Sequence, residues 1–244
     1  MRRLRLRVMG LALPLVISLV TALSNHVRAA EPGTGAGNRA SGVSVADSAN
    51  ANVTDAAAAA AARLTEITRH LAARGNVRAQ FRQTRTLAAL KQPLVSTGSI
   101  LFVREHGMVW QLATPYRATY VITDAGVSEI SPQGQPLVSQ GGQGMRGAAQ
   151  VSRMLRAMLG GDLSALYAQF DVTVQGTASR WHIVLTPNQP QLAQSLKRLD
   201  LSGGNDLHSV RISLANGDLT QMDFTDSVAA GVLSAAERTQ LGAP

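Results

Sequence analysis

Residues 99–113 read SILFVREHGMVWQLA, two apolar runs separated by the polar segment Arg104–Glu105–His106–Gly107. The pattern predicts a β-hairpin, in which successive side chains point to opposite faces. An antiparallel sheet that is covered on one face only would alternate apolar and polar residues. Here both faces are apolar, so the second face must also be covered by protein or line a space for an apolar ligand.

Strand-like runs continue on both sides of this hairpin and are separated by short turns such as Asn216–Gly217. The predicted strands are 77–86, 96–104, 108–113, 118–123, 126–131, 136–140, 169–175, 180–186, 195–202, 207–214 and 218–225. Short connections indicate neighbouring antiparallel strands. A sheet of about eleven strands must curl, split or close. The sequence therefore predicts a mainly β fold, a strongly curved antiparallel sheet that forms an incomplete β-barrel, with two to three helices covering its concave face.

Three segments favour helix. Residues 54–74 contain an alanine run and an apolar stripe, with Thr54 or Asp55 as the N-cap. Residues 147–161 have an amphipathic pattern formed by Val151, Met154, Leu155 and Met158. In the last segment, Ser234 and Glu237 have the spacing of a capping box.

The N-terminus predicts export. Residues 1–29 have a basic start, an apolar stretch and the small-residue pattern Val27–Arg28–Ala29, which predict a secretory signal peptide cleaved after Ala29. An uncleaved membrane anchor is the alternative, but the apolar stretch is short for a full span. Cleavage would remove five arginines and no acidic residue, so the formal charge would fall from +8 to +3. That charge gives no reason to expect a nucleic-acid partner. We predict a flexible linker at 30–53, a folded domain at 54–228 and a tail at 229–244 that contains the short helix.

The sequence offers little for catalysis. It has no cysteine, which excludes disulfides and a cysteine-linked lipid anchor. It has no Gly-x-Ser-x-Gly nucleophile motif, and its histidines lack metal-ligand spacing. Asp206-x-His208 is the nearest approach to a reactive pair, and it is more typical of a hairpin surface. We predict a protein without catalytic residues, metal or cofactor. A hydrolase built around His182 or His208 is a distant alternative.

Several short motifs together resemble the periplasmic outer-membrane lipoprotein carrier (LolA-like) family. They are Phe81–Arg82–Gln83, Gly98, the LFVRE run containing Arg104, Trp110, Pro115, and the segments 169–187 and 207–225. The resemblance covers about residues 60–228. It implies an incomplete barrel whose apolar cavity holds acyl chains.

By this resemblance the chain would be a monomeric periplasmic carrier. It would receive acylated lipoproteins from an inner-membrane transporter and pass them to an outer-membrane receptor. The family often has Arg-Pro where this chain has Arg104–Glu105. Another acylated metabolite or a glycolipid therefore remains an alternative cargo, and a lipoprotein-sensing regulator an alternative role.

The predicted site joins the hairpin to the methionine-bearing helix. The residues expected to line the cavity are Leu101, Val103, Trp110, Ile122, Met154, Leu155 and Met158. Methionine is flexible enough to pack against irregular contents. The resemblance implies that Arg104 bonds to backbone carbonyls of the covering helices and holds the empty cavity closed.

Overall fold

The computed structural model describes residues 46–123, 126–131, 135–137 and 164–243. These residues form one antiparallel sheet of eleven strands, in the order β6-β5-β4-β3-β2-β1-β11-β10-β9-β8-β7. The strands are β1 (Val77–Thr86), β2 (Leu94–Val103), β3 (Gly107–Thr114), β4 (Ala118–Thr123), β5 (Gly126–Ile130), β6 (Pro136–Leu137), β7 (Phe170–Thr177), β8 (Arg180–Pro187), β9 (Leu196–Gly203), β10 (Leu207–Leu214) and β11 (Leu219–Ala229). Because β6 and β7 are its two edges, the sheet is an incomplete barrel, as predicted.

The first and last strands of the chain meet in the middle of the sheet. β1 pairs with β2 on one side and with β11 on the other, with Phe81 opposite both Gly98 and Phe224. Every other pairing joins strands that are consecutive in sequence. This local connectivity explains why turn signals and apolar runs predicted the strand order well.

The long helix α1 (Ala46–Ala73) lies across one face of the sheet. We call this the inner face, and it carries Trp110 and Ile183. Leu64 and Ile67 of α1 are buried at 0% and 1% exposure and pack against the β7–β10 half. The helix prediction is confirmed, but α1 begins at Ala46 rather than at Thr54. Residues 46–53 are rich in alanine, a strong helix former, so an already nucleated helix can extend through them.

The other helices are short: α2 (Ser164–Tyr167), α3 (Pro190–Ala193) and α4 (Ala235–Leu241). The predicted methionine-bearing helix falls within residues 138–163, outside the described part of the chain. The prediction that two to three helices cover one face of the sheet is confirmed, since Leu64 of α1, Leu166 of α2 and Leu192 of α3 lie in one buried cluster with the inner face. α1 covers the inner face, whereas α4 packs on the opposite face, which we call the outer face.

α4 explains the apolar outer side of the opening hairpin. Leu241 is buried at 5% exposure in a cluster with Leu101, Val103, Val109 and Val121. The helix begins with the predicted capping box. The Ser234 backbone N–H donates to Glu237 Oε2 at 2.8 Å, and the Glu237 N–H donates to Ser234 Oγ at 3.3 Å. The C-terminal segment is therefore part of the packed unit.

An ion pair fixes α4 to the sheet. Arg78 Nη2 donates to Glu237 Oε2 at 2.9 Å, and the same guanidinium donates to the Ala230 carbonyl at 3.3 Å. Hydrogen bonding from Arg78 lowers the pKa of Glu237 from 4.5 to about 2, against the opposing effect of burial. The folded state therefore favours the ionised carboxylate. The contribution of the ionised Glu237 carboxylate to the free energy of unfolding is complete above pH 4.5 and is lost as the pH falls towards 2.

We expect Glu237→Gln to reduce the free energy of unfolding by about 1–2 kcal/mol at pH 7, since it removes a charge-assisted pair but keeps a capping side chain. The difference from the unsubstituted protein should shrink between pH 4.5 and 2. Urea unfolding at pH 7 and pH 3 measures both quantities. Glu105→Gln, at an exposed carboxylate in the β2–β3 turn, is the control. A difference that persists unchanged at low pH would contradict this account.

Candidate binding cavity

A cavity of about 210 Å³ lies between the C-terminal half of α1 and the inner face of the sheet. Its walls come from both halves of the sheet. The β1–β3 half contributes Val77, Ala79, Ile100, Phe102, Met108 and Trp110. The β8–β10 half contributes Trp181, Ile183, Leu199, Leu201, Val210 and Ile212. Met222 and Phe224 of β11 join the two halves, so the wall formed by the sheet is almost entirely carbon.

Strand register places the aromatic residues of the wall together. Ile100 lies opposite Trp110, and Phe102 lies opposite Met108. The rings of Phe81 and Trp110 have centroids 4.4 Å apart and are tilted by 43°. Edge-tilted aromatic pairs of this kind pack favourably. The hairpin therefore presents Phe102 and Trp110 to the cavity, and Phe81 of β1 packs against the Trp110 ring.

Of the residues predicted for the cavity, Trp110 lines it. Ile122 belongs to the same buried cluster as Trp110 and lies opposite Met108, although it is not part of the cavity wall. The prediction for Leu101 and Val103 is corrected here: they do not line the cavity, because they pack on the outer face beneath α4. Alternation in β2 sends even-numbered residues inward and odd-numbered residues outward. Met154, Leu155 and Met158 lie outside the described residues.

The ionic residues of the cavity lining, Arg74, Arg104 and Asp206, lie at the end of the sheet where α1 meets β1, and we call this end the mouth. In an antiparallel sheet this end also carries the β2–β3 turn, the end of β11 and the β9–β10 turn. Arg104, in the β2–β3 turn, donates from Nη1 to the Ala72 carbonyl at 3.3 Å. Its backbone N–H donates to Asn76 Oδ1 at 3.2 Å. Arg104 thus joins one half of the sheet to the last turn of α1.

The other half of the sheet is joined to the same helix end. Arg74 Nε donates to Asp206 Oδ1 at 2.9 Å, and Arg74 Nη2 donates to Asp206 Oδ2 at 3.1 Å. His70 Nε2 and Asn205 Oδ1 are 3.1 Å apart. Sequence reasoning missed these contacts. The 132 residues that separate Arg74 from Asp206 leave no local pattern by which to pair them.

The cavity is small for a lipid. Sites that enclose a small-molecule ligand typically measure about 300–1,000 Å³. At about 210 Å³ this space can enclose only part of an acyl chain. A larger occupant requires the cavity walls to separate, and the contacts of Arg74 and Arg104 hold the end of α1 against the sheet.

A second, more open groove of about 860 Å³ lies on the outer face over β8–β11 and is lined mainly by polar residues. It contains His182, whose Nε2 is 3.2 Å from Asp200 Oδ1. Burial raises the pKa of Asp200, but hydrogen bonds and charge from Arg198 and His182 outweigh it and lower that pKa overall. Ser202 and Ser209, the nearby hydroxyls, bond to each other at 2.8 Å. Within this groove Asp200 is therefore paired with both Arg198 and His182.

One member of the remaining candidate pair has a structural partner. Asp206, considered with His208 as a reactive pair, is bound by Arg74. Among the described residues, no group of three or more His, Asp or Glu side chains could hold a metal ion. Within the same part of the chain, no helix is long and apolar enough to cross a membrane.

Comparison with known protein families gives a match over most of the chain. The family model described as outer membrane lipoprotein carrier protein LolA-like matches residues 56–242. No curated protein matches the chain. The match includes residues 56–73 of α1, the whole sheet and all of α4, so it reaches helices on both faces.

Similar solved structures are distant. A LolA superfamily protein from Nitrosomonas europaea has 8% identity and a TM-score of 0.39, over 71% of this chain and 94% of that one. The Pseudomonas aeruginosa MucA/MucB complex has 16% identity and a TM-score of 0.43, over 74% and 61%. LprF from Mycobacterium bovis has 14% identity and a TM-score of 0.34, over 70% and 94%. Since all these scores are low, the family assignment rests on the sequence match alone.

Proposed function

Because the chain belongs to the LolA-like family of outer membrane lipoprotein carrier proteins, we propose that it is a carrier that shelters acyl chains between α1 and the inner face of the sheet. The observation that carries the proposal is the carbon-lined cavity, whose ionic groups are confined to the mouth. An acyl chain needs no polar partner in such a space. Burial of each methylene contributes about 0.8 kcal/mol.

Transport by this mechanism depends on α1. The closed cavity is too small for a complete acyl chain, so loading would require the helix to move outward. Arg74 and Arg104 contact the rest of the protein at the C-terminal end of α1, and both side chains are exposed, so water can compete for these contacts. Their net contribution is therefore modest, so they hold the C-terminal end of the helix only weakly.

We further propose the route that the family implies. The exported protein would work in the periplasm, receive cargo from an inner-membrane transporter and deliver it to an outer-membrane receptor. Lipoproteins are the cargo that the family name supports. We propose binding and release rather than catalysis, since His182 and the serines near it are engaged in structural hydrogen bonds.

Displacement of an apolar fluorescent probe tests the proposal. The probe should bind with an increase in fluorescence, and palmitate should displace it. Mass spectrometry of lipids that co-purify with protein from the periplasm would identify the cargo. Absence of both probe binding and bound lipid, in a folded protein, would contradict a carrier function.

A further inference from the structure

Two guanidinium groups and one carboxylate line the cavity mouth: Arg74, Arg104 and Asp206. The wall behind them is apolar. An amphiphile whose chain enters the cavity must leave its headgroup at this mouth, because a polar headgroup is costly to bury in a carbon-lined space. These three side chains are therefore the ionic groups that a headgroup would meet.

The geometry of the Arg74–Asp206 pair would allow an anionic headgroup to take the place of the Asp206 carboxylate. Two parallel N–H donors of Arg74 meet the two oxygens of Asp206 at 2.9 and 3.1 Å. Phosphate presents oxygens that fit the same guanidinium fork. The Arg74 side chain is 38% exposed and that of Asp206 is 17% exposed, so water and small ligands can reach the pair from the mouth.

We infer that the cavity selects amphiphiles with an anionic, phosphate-bearing headgroup, and that this headgroup displaces Asp206 from Arg74. The inference rests on the proposed acyl-binding function, and it favours a phosphate-bearing amphiphile over a lipoprotein as the ligand. Displacement would do more than bind the ligand. It would break the bond between the end of α1 and the β9–β10 turn, so that the correct headgroup itself favours the opening that its acyl chain needs.

His70 and Arg104 lie beside the site where the headgroup would replace Asp206 as the partner of Arg74. His70 lies one helical turn before Arg74 and contacts Asn205 in the same turn as Asp206. On the other side of the mouth, Arg104 bonds to the Ala72 carbonyl. A headgroup at the mouth would therefore lie beside two guanidinium groups, those of Arg74 and Arg104.

Two ligands that share a chain isolate the headgroup effect. 1-Palmitoyl lysophosphatidic acid and 1-palmitoylglycerol differ by one phosphate, and both can be tested by displacement of the apolar probe. We expect the full-length protein to bind the phosphate-bearing ligand about threefold to fivefold more tightly at low salt, in line with an exposed charge pair. Arg74→Gln should bring the ratio of the two affinities close to one, because it removes the two parallel N–H donors of the guanidinium group.

Arg69→Gln is the matched control. Arg69 is on the same helix, is exposed and does not line the cavity, so its replacement should leave the ratio unchanged. Asp206→Asn should increase the ratio, since it weakens the competitor for Arg74. Inorganic phosphate alone should not displace the probe, because it has no chain to enter the cavity.

The outcomes separate this inference from the function on which it rests. If neither ligand displaces the probe, the acyl-binding function fails and the inference fails with it. If both displace it equally, or if Arg74→Gln keeps the preference, the carrier function stands and the headgroup selection is wrong.

Discussion

Replacement of Phe102 by aspartate is expected to reduce binding of the apolar probe and of palmitate at least tenfold. Phe102 lines the cavity from β2 and lies opposite Met108. A carboxylate there would either be buried among carbon atoms without a partner or hold water in the space that a chain must fill. Burial of a polar group without a hydrogen bond costs about 2 kcal/mol or more, which exceeds the roughly 1.4 kcal/mol of a tenfold change.

The same strand supplies a control for this substitution. Val95 is an odd-numbered residue of β2, is 37% exposed and does not line the cavity. Val95→Asp therefore adds the same charge to the same strand without changing the cavity wall. We expect it to bind the probe as the unsubstituted protein does. Circular dichroism would establish that both variants are folded. Unchanged binding by folded Phe102→Asp would place the acyl chains elsewhere.

The strands and their order could be predicted because the information is local. Each strand pairs with a sequence neighbour except at the β1–β11 junction, and two-residue turns such as Asn216–Gly217 fix where a strand ends. The capping box of α4 is equally local, since Ser234 and Glu237 are three residues apart. Features set by short sequence separations were thus visible in the sequence.

The faces of the hairpin could not be assigned in the same way. Alternation separates Leu101 and Val103 from Ile100 and Phe102, but it does not say which pair meets the cavity. Both pairs are apolar because both faces are covered, one by α1 and the cavity and the other by α4. The hydrophobic pattern shows that both faces of the hairpin are buried. Only the packing of α1 and α4, which are distant in sequence, shows what covers each face.

The mouth of the cavity depends on still longer separations. Arg104 reaches Ala72 across 32 residues, and Arg74 reaches Asp206 across 132. The role of Arg104 at a helix carbonyl was implied by family resemblance and not by its own sequence context. Arg74 and Asp206 had no such signal. Charged residues in turns are normally solvated, and only the three-dimensional arrangement distinguishes a pair that joins helix to sheet.

Arg104→Leu is expected to load acyl ligands normally but to release them to acceptor vesicles more slowly, by about fivefold. The guanidinium donates to the Ala72 carbonyl in the last turn of α1, where a positive charge also interacts favourably with the helix dipole. Hydrogen bonds from charged donors contribute about 1.5–3 kcal/mol when shielded, and an exposed one contributes about 1 kcal/mol. Loss of this contact destabilises the closed, empty state relative to the open, loaded state.

Since the ligand occupies the open state, the substitution should strengthen retention rather than weaken binding. Arg104→Lys keeps the charge and a donor but not the planar fork, so it should recover part of the release rate. A two-step assay, with probe loading and transfer to vesicles measured separately, distinguishes the two effects. Slower loading with unchanged release would indicate that Arg104 guides ligand entry. Release at the rate of the unsubstituted protein, with loading intact, would show that closure does not depend on this arginine.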